Sequence, residues 1–339
     1  MKQSFYIYSE GQLQRKDNTL RFQALGGKPR DLPIETVSDL YIMAEMTVNT
    51  ALLNLVSKYG IALHFFNYYD HYIGSYYPKE SLLAGQLLVH QVSCYQDENR
   101  RLQIAKKFVD GAAGNIYRNL RYYNNRGKNL EEANRGKNLE EAMEDVMRLR
   151  EQAEMATSIS ELMGFEGLIH KRYYESFAEI VNQSLEFEKR VKNPPDNEIN
   201  TLISFVNSLI YTTVLSEIYK TQLNPTISYL HEPGVRRFSL SLDIAEIFKP
   251  LLGDRLIFSM LNRGQITKKD FTEGLNGMHL TKEGSRKVAQ AMNERLSKTI
   301  RHKALQKDVS YRYLIRLECY KLIKDLIDEK PYEPFVIWW

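Results

Sequence analysis

Two stretches of this 339-residue sequence gather acids and imidazoles at spacings that suit a divalent cation. In Ser239-Leu240-Ser241-Leu242-Asp243-Ile244-Ala245-Glu246, Asp243 and Glu246 are three residues apart, so a helix projects both carboxylates from one face. Their neighbours Leu240, Leu242, Ile244, Ala245, Ile247 and Phe248 form an apolar frame, where a carboxylate is costly unless paired or bound to a cation. Just upstream, Ser228-Tyr229-Leu230-His231-Glu232-Pro233 sets His231 at a proline bend, which carries its imidazole over the start of the following helix. Carboxylate oxygens with one imidazole suit Mg2+ or Mn2+, the imidazole favouring manganese. The other stretch runs from Gly164-Phe165-Glu166-Gly167 to His170 and Tyr173-Tyr174. Glycines on both sides of Glu166 let a bulky group or a second backbone approach. His170 lies four residues on and shares the Glu166 face, so Glu166 with His170 and Glu166 with His231 compete as metal pairs on spacing alone. Ordinary structural roles compete as well: a capping Asp243, an ion-paired Glu246, a hydrogen-bonded His231, and a Glu166 favoured by the positive end of a helix dipole.

The elements that must position these residues follow from periodicity. Residues 1–78 are strand-rich: Phe5-Tyr6-Ile7-Tyr8, Leu13-Gln14-Arg15 and Leu20-Arg21-Phe22 are short runs separated by turn residues such as Glu10-Gly11 and Asp17-Asn18. Ile34 to Met46 and Ile61 to Tyr77 add further strands, around a helix from Asn49 to Lys58 that Gly60 terminates. Beyond Tyr77-Pro78-Lys79 the pattern is almost entirely helical, from Leu82 to Ile327, broken at Pro194-Pro195, Pro225 and Leu275-Asn276-Gly277. The expected fold is α+β: a small N-terminal β-rich domain (1–78), a large all-α C-terminal domain (79–330) that carries both acid-and-imidazole stretches, and a tail (331–339). The tail ends in Phe335-Val336-Ile337-Trp338-Trp339, too apolar to stay solvated, and is expected to dock on the protein or a partner. The nine residues Asn125 to Ala133 recur unchanged as Asn134 to Ala142. Nine steps of roughly 100° would turn the apolar face of a continuous helix outward, so the repeat belongs in an exposed connection or at a helix end.

Net charge is +4, which permits nucleic-acid binding without arguing for it. The distribution says more. From Lys282 to Lys324 there are twelve Lys or Arg against four acids. Such a field on one element suits a phosphate backbone, and a solvated helix face explains it equally well. No run approaches the roughly 20 apolar residues of a membrane span, and Met1-Lys2-Gln3-Ser4-Phe5 lacks the features of a secretion signal. Cys94 and Cys319 match no zinc or redox spacing and are expected to be buried thiols in a reducing cytoplasm.

The same residues resemble those of the CRISPR-associated spacer-acquisition integrase family, Cas one. Gly164-Phe165-Glu166-Gly167 with Tyr173-Tyr174 resembles its Gly-x-Glu-Gly and Tyr-Phe, and Leu230-His231-Glu232-Pro233 its Leu-His-x-Pro. Leu240-Ser241-Leu242-Asp243-Ile244-Ala245-Glu246-Ile247-Phe248-Lys249-Pro250, with Asp254-Arg255, resembles its Leu-x-Leu-Asp-Leu-x-Glu-x-Phe-Arg-Pro and later Asp-Arg. The resemblance covers nearly the whole chain. It implies that Glu166, His231 and Glu246 are the metal ligands and catalytic residues, with Asp243 in support, and that His170 stands where the family usually has a small residue. Gln222-Leu223-Asn224-Pro225 replaces Gly-Leu-Asp-Pro, Ser228 a glycine and Lys249 an arginine; none of these removes a ligand. It further implies an endonuclease and integrase that uses Mg2+ or Mn2+ to join 3′-hydroxyl DNA ends into a CRISPR repeat. Arg236, Arg237, Lys249, Arg286, Lys287, Arg295 and Arg301 would contact backbone phosphates of double-stranded and branched DNA. The implied assembly is a homodimer joined through the N-terminal domains and bridged by a small partner, Cas two, in the cytoplasm and away from membranes. The competing reading is a DNA-binding scaffold with a decayed site, although no ligand type is missing.

Overall fold

The computed structural model describes residues 2–338 apart from 80, 81, 83, 128–132, 184, 186, 193, 235–237, 275 and 276, and leaves out the side chains of 127 and 133–137. The N-terminal part contains β1 (Gln3–Ile7), β2 (Gly11–Lys16), β3 (Thr19–Ala24), β4 (Pro29–Pro33), β5 (Val37–Ile42), β6 (Met46–Val48), α1 (Thr50–Tyr59), β7 (Ala62–Phe66) and β8 (Tyr72–Tyr76). Two four-stranded sheets result, in the orders β1-β5-β7-β8 and β4-β3-β2-β6. The β2–β3 hairpin turns at Asp17, whose φ of 51° suits the left-handed turn that Asp tolerates. Asn49 caps α1 by accepting from the Leu52 N–H at 2.9 Å, and Gly60 ends it at φ 66°.

Strand alternation lets β5 serve two cores at once. Leu40 and Ile42 join Leu13, Leu20, Ile34 and the α1 residues Leu52 and Val56 in a core of the β-rich part. The opposite side of the strand turns Tyr41 toward the helices, where its hydroxyl meets Thr213 Oγ1 at 3.2 Å. Asp39, fully buried, points the same way into a charged cluster. Arg312 lies 2.8 Å away and Lys220 3.3 Å away, with Ser216 donating to the carboxylate. Glu217 completes the cluster with Lys220 at 3.1 Å and Arg316 at 2.7 Å.

The helical part comprises α2 (Gly85–Gln96), α3 (Glu98–Gly127), α4 (Ala133–Glu154), α5 (Ile159–Glu175), α6 (Phe177–Ile180), α7 (Glu198–Tyr219), α8 (Ser239–Phe248), a π-helical turn over Lys249–Asp254 and α9 (Arg255–Asn262). It continues as β9 (Phe271–Gly274), β10 (Gly277–Leu280), α10 (Lys282–Ser297), β11 (Thr299–His302), β12 (Lys307–Ser310) and α11 (Tyr311–Leu326). The α+β class stands, but the second part is not all-α. Two antiparallel hairpins, β9–β10 and β11–β12, interrupt the helices. Four-residue strands are too short to display a period of two over helix-like flanks. α7 is long and apolar enough to cross a membrane by length and composition, a run the sequence analysis did not pick out. In the fold 78% of that window is buried inside the protein, and a helix apolar on all sides is what a central position requires.

The tail docks on the protein itself. Asn115 of α3 donates to the Phe335 carbonyl and accepts from the Ile337 N–H, both at 2.9 Å. Glu318 of α11 accepts from the Tyr332 hydroxyl at 2.6 Å and the Phe335 N–H at 3.0 Å. Gly111 makes room for the tail, since a Cβ there would lie 2.6 Å from the Pro334 Cβ. The duplicated segment falls where α3 ends and α4 begins, with 128–132 outside the described residues. Both cysteines are free; Cys319 is buried, and Cys94 is only half-buried.

Candidate metal centre

Glu166 lies in the middle of α5, not at its start. Ser158 caps that helix, accepting from the Glu161 N–H at 3.2 Å, so the dipole explanation of Glu166 fails: the effect fades within the first turn. The buried stripe of α5 is Leu162, Ile169 and Tyr173, and positions 166 and 170 fall on it by steps of three and four. Among the described residues, a Cβ at Gly164 or Gly167 would meet nothing within 4 Å, so no side chain or second backbone of theirs comes close.

α8 supplies the second half. All its residues except Leu242 are buried, and Asp243 and Glu246 point from one face. The Asp243 carboxylate accepts from three consecutive backbone N–H groups, Tyr229 at 2.7 Å, Leu230 at 3.0 Å and His231 at 3.0 Å. It also meets His231 Nδ1 at 2.8 Å. One buried acid thus fixes the loop and the ring that the loop carries. Arg101 of α3 braces the loop from outside, donating to the Tyr229 carbonyl at 2.9 Å and pairing with Glu232 at 2.6 Å.

Glu246 is 3% exposed. Its Oε1 takes Lys249 Nζ at 2.5 Å, while its Oε2 is buried with no hydrogen-bond partner among the described residues. His170 stands between the two glutamates, with Nδ1 2.9 Å from Glu166 Oε1 and Nε2 3.6 Å from Glu246 Oε2. The ligand atoms of Glu166, His170 and Glu246 all lie within 4.8 Å of one another. His231 stands outside that set, yet its charge bears on Glu166 and that of Glu246 bears on it. Of the three expected ligands, the fold therefore brings Glu166 and Glu246 together, while His231 is held on Asp243 and is not in that set.

Burial pushes the Glu166 carboxyl up, but the His170 hydrogen bond, reinforced by Lys249 and His231, outweighs it and holds the group below its usual range. Burial pushes both imidazoles down, and their carboxylates prevail: Glu166 raises His170 and Asp243 raises His231. Asp254, at the end of the π-helical turn, is pushed up to about 7 by burial. The donors fit a divalent cation. Two carboxylates and imidazoles that give up their protons to an ion suit Mg2+ or Mn2+, and a cation would satisfy the buried Glu246 Oε2, which makes no hydrogen bond among the described residues and has His170 Nε2 3.6 Å away.

The residues expected at phosphates divide. Arg236 and Arg237 lie outside the described residues. Lys249 belongs to the centre itself. Arg286 is exposed beside Glu283 at 3.3 Å, Lys287 pairs with Asp270 at 2.7 Å, and Arg301 is exposed on β11. Arg295 is turned inward, donating to the Leu251 carbonyl at 2.6 Å. The basic run is not one element: it is spread over α10, the β11–β12 hairpin and α11, and Arg312 and Arg316 are spent on buried Asp39 and Glu217. The lysine of the centre was legible, because Lys249 follows Glu246 by three. The bracing Arg101 was not, since no local pattern links it to residues 229–232.

A β-rich part set on a helical body that holds buried carboxylates beside imidazoles defines a class, the α+β proteins with a candidate divalent-metal centre in their helical half. Residues 5–294 match the family model described as CRISPR associated protein Cas1. A protein of Fusobacterium nucleatum named CRISPR-associated endonuclease Cas1 is 55% identical over 339 residues, covering 100% of this chain and 98% of that one. A solved CAS1 protein from Thermotoga maritima matches with a TM-score of 0.84 and 38% identity, over 97% of this chain and 98% of that one. The chain belongs to the Cas1 family, as the three sequence blocks led one to expect. A casposase bound to integration product shares the fold, with a TM-score of 0.82 at 19% identity over 99% of this chain and 93% of that one.

Proposed function

We propose that this protein joins the 3′-hydroxyl ends of a short DNA segment into a CRISPR repeat by phosphodiester transesterification, and nicks DNA at the same centre. The observation that carries the reading is Glu246 Oε2, a buried carboxylate oxygen without a hydrogen-bond partner beside Glu166 and His170, in a chain of an endonuclease family. Glu166, His231 and Glu246 would hold the ion, Mg2+ or Mn2+. Such an ion supplies Lewis acidity at the phosphoryl oxygen and neutralises charge as the phosphorus–oxygen bond breaks.

The protein's own groups prepare the site. Asp243 takes His231 Nδ1, so that Nε2 is the nitrogen His231 would offer to the ion. Lys249 occupies Glu246 Oε1 and leaves Oε2 to the ion, and its ammonium offsets the charge of an approaching phosphate. Lys249, Arg286, Lys287 and Arg301, with Arg236 and Arg237, would position double-stranded and branched DNA through the backbone without reading sequence. In this reading residues 1–78 form the dimerisation domain, 79–330 the catalytic and DNA-binding domain and 331–339 the tail. The assembly is a cytoplasmic homodimer with a small Cas2-type partner.

The test incubates the protein and such a partner with a labelled short duplex and a repeat-bearing plasmid, in Mg2+, in Mn2+ or in EDTA. Labelled plasmid is expected with either ion and is absent in EDTA. DNA bound but never joined under any condition would favour the scaffold reading.

A further inference from the structure

Resting on the metal-centre reading above, we propose that His170 is a further ligand of that centre, giving it two imidazoles and a preference for Mn2+ over Mg2+. Both histidines are prepared in the same way. His231 has Nδ1 on Asp243 at 2.8 Å, and His170 has Nδ1 on Glu166 at 2.9 Å. A carboxylate on one ring nitrogen fixes the tautomer and raises the basicity of the other, which is the usual setting of a metal-bound histidine. In His170 the other nitrogen faces the buried Glu246 Oε2 that has no hydrogen-bond partner, at 3.6 Å. Two donors each bonded at roughly 2.1 Å to one ion lie at most roughly 4.2 Å apart, so the spacing of this pair admits one cation. The ring cannot turn freely, because Tyr174 stacks on it with centroids 5.9 Å apart and planes 26° apart.

The hydrogen bond to Glu166 uses only Oε1, and the second oxygen of that carboxylate remains for the ion. His170 is therefore compatible with Glu166 as a ligand and does not replace His231, whose ring Asp243 holds independently. The resulting set has two carboxylates and two imidazoles. Imidazole suits later first-row ions, whereas Mg2+ is an oxygen-seeking ion, so the second histidine shifts selectivity toward Mn2+.

The experiment loads the full-length protein with Mn2+ and counts directly bound imidazole nitrogens by pulsed electron paramagnetic resonance, with Mn2+ and Mg2+ affinities measured in parallel. Two nitrogens are expected in the wild type, one in His170→Ala, one in His231→Ala and none in the double variant. His170→Ala is also expected to weaken Mn2+ by roughly tenfold or more while changing Mg2+ far less. Should His170→Ala melt early, His170→Gln keeps a donor toward Glu166 and carries the same expectation. One nitrogen in the wild type that His231→Ala loses and His170→Ala keeps, or His170→Ala with unchanged nitrogens and affinity, overturns the assignment of His170 and leaves the three-ligand centre standing; one nitrogen that only His170→Ala loses overturns His231 as a ligand instead. A wild type that binds no Mn2+ overturns the centre itself.

Discussion

Alanine at Glu166, His231 or Glu246 is expected to cut strand transfer by roughly a thousandfold or more, on the order of 4 kcal/mol of transition-state stabilisation, while fold and DNA affinity persist. The loss follows from the proposed division of labour, in which each residue supplies one ion ligand and the ion carries the phosphoryl charge. The persistence of the fold follows from what each side chain leaves behind. Without His231, Asp243 still accepts three backbone N–H groups, so the loop keeps its anchor. Without Glu246, Lys249 loses its partner but the protein sheds a buried oxygen that makes no hydrogen bond among the described residues, two effects of opposite sign. Double and triple variants are expected to be little worse than single ones, because residues that act as a unit fail together. Quantified joined product beside thermal melts checks this; full activity in all three single variants would exclude these residues as the ligands.

The second large effect concerns stability. Asp39→Ala is expected to destabilise the protein by about 3–5 kcal/mol, the usual cost of removing one partner from a buried charged cluster. The carboxylate holds Arg312, Lys220, Ser216 and Ser4 in one place, joining β1 and β5 to α7 and α11. Its loss leaves Arg312 with Glu217 at only 3.4 Å as an ionic partner. Burial alone would push the Asp39 carboxyl up, but Lys220 and Arg312 hold it far below its ordinary value, and the same cations lower Glu217. A depressed folded-state value means the unfolded chain takes up the proton first. The contribution is therefore complete above about pH 4, the ordinary carboxylate value, and is lost as the pH falls further toward the folded-state values. The gap in melting temperature between wild type and Asp39→Ala should be smaller at pH 3 than at pH 7. A constant gap across that range would place the stabilisation elsewhere than in the charge.

The site was legible where chemistry and local period coincide. Asp243 and Glu246 on one helix face, and Glu166 with His170 one turn apart, follow from spacing alone. The choice between His170 and His231 did not follow from spacing, because it depends on how α5 and the loop before α8 meet in space; each ring is held by its own carboxylate, His170 by Glu166 and His231 by Asp243. The fold was legible down to the Gly60 that ends α1, while Asn49, read as part of that helix, is its cap. The β9–β10 and β11–β12 hairpins were missed because strands of four residues carry too little alternation. The basic run misled for a different reason: sequence counts charges but does not show which are neutralised at a distance, as Arg312 and Arg316 are by Asp39 and Glu217. Nothing local marks Asp39, since its partners lie far along the chain, at 220 and 312.

The most direct measurement is anomalous diffraction at the manganese edge from crystals of the wild-type protein soaked in Mn2+. A single strong peak is predicted within bonding distance of Glu166, His231 and Glu246, and its absence from the Glu246→Ala crystal is predicted with it. A peak bounded by other residues, or none at this site at saturating Mn2+, would contradict a metal-dependent centre built from these ligands.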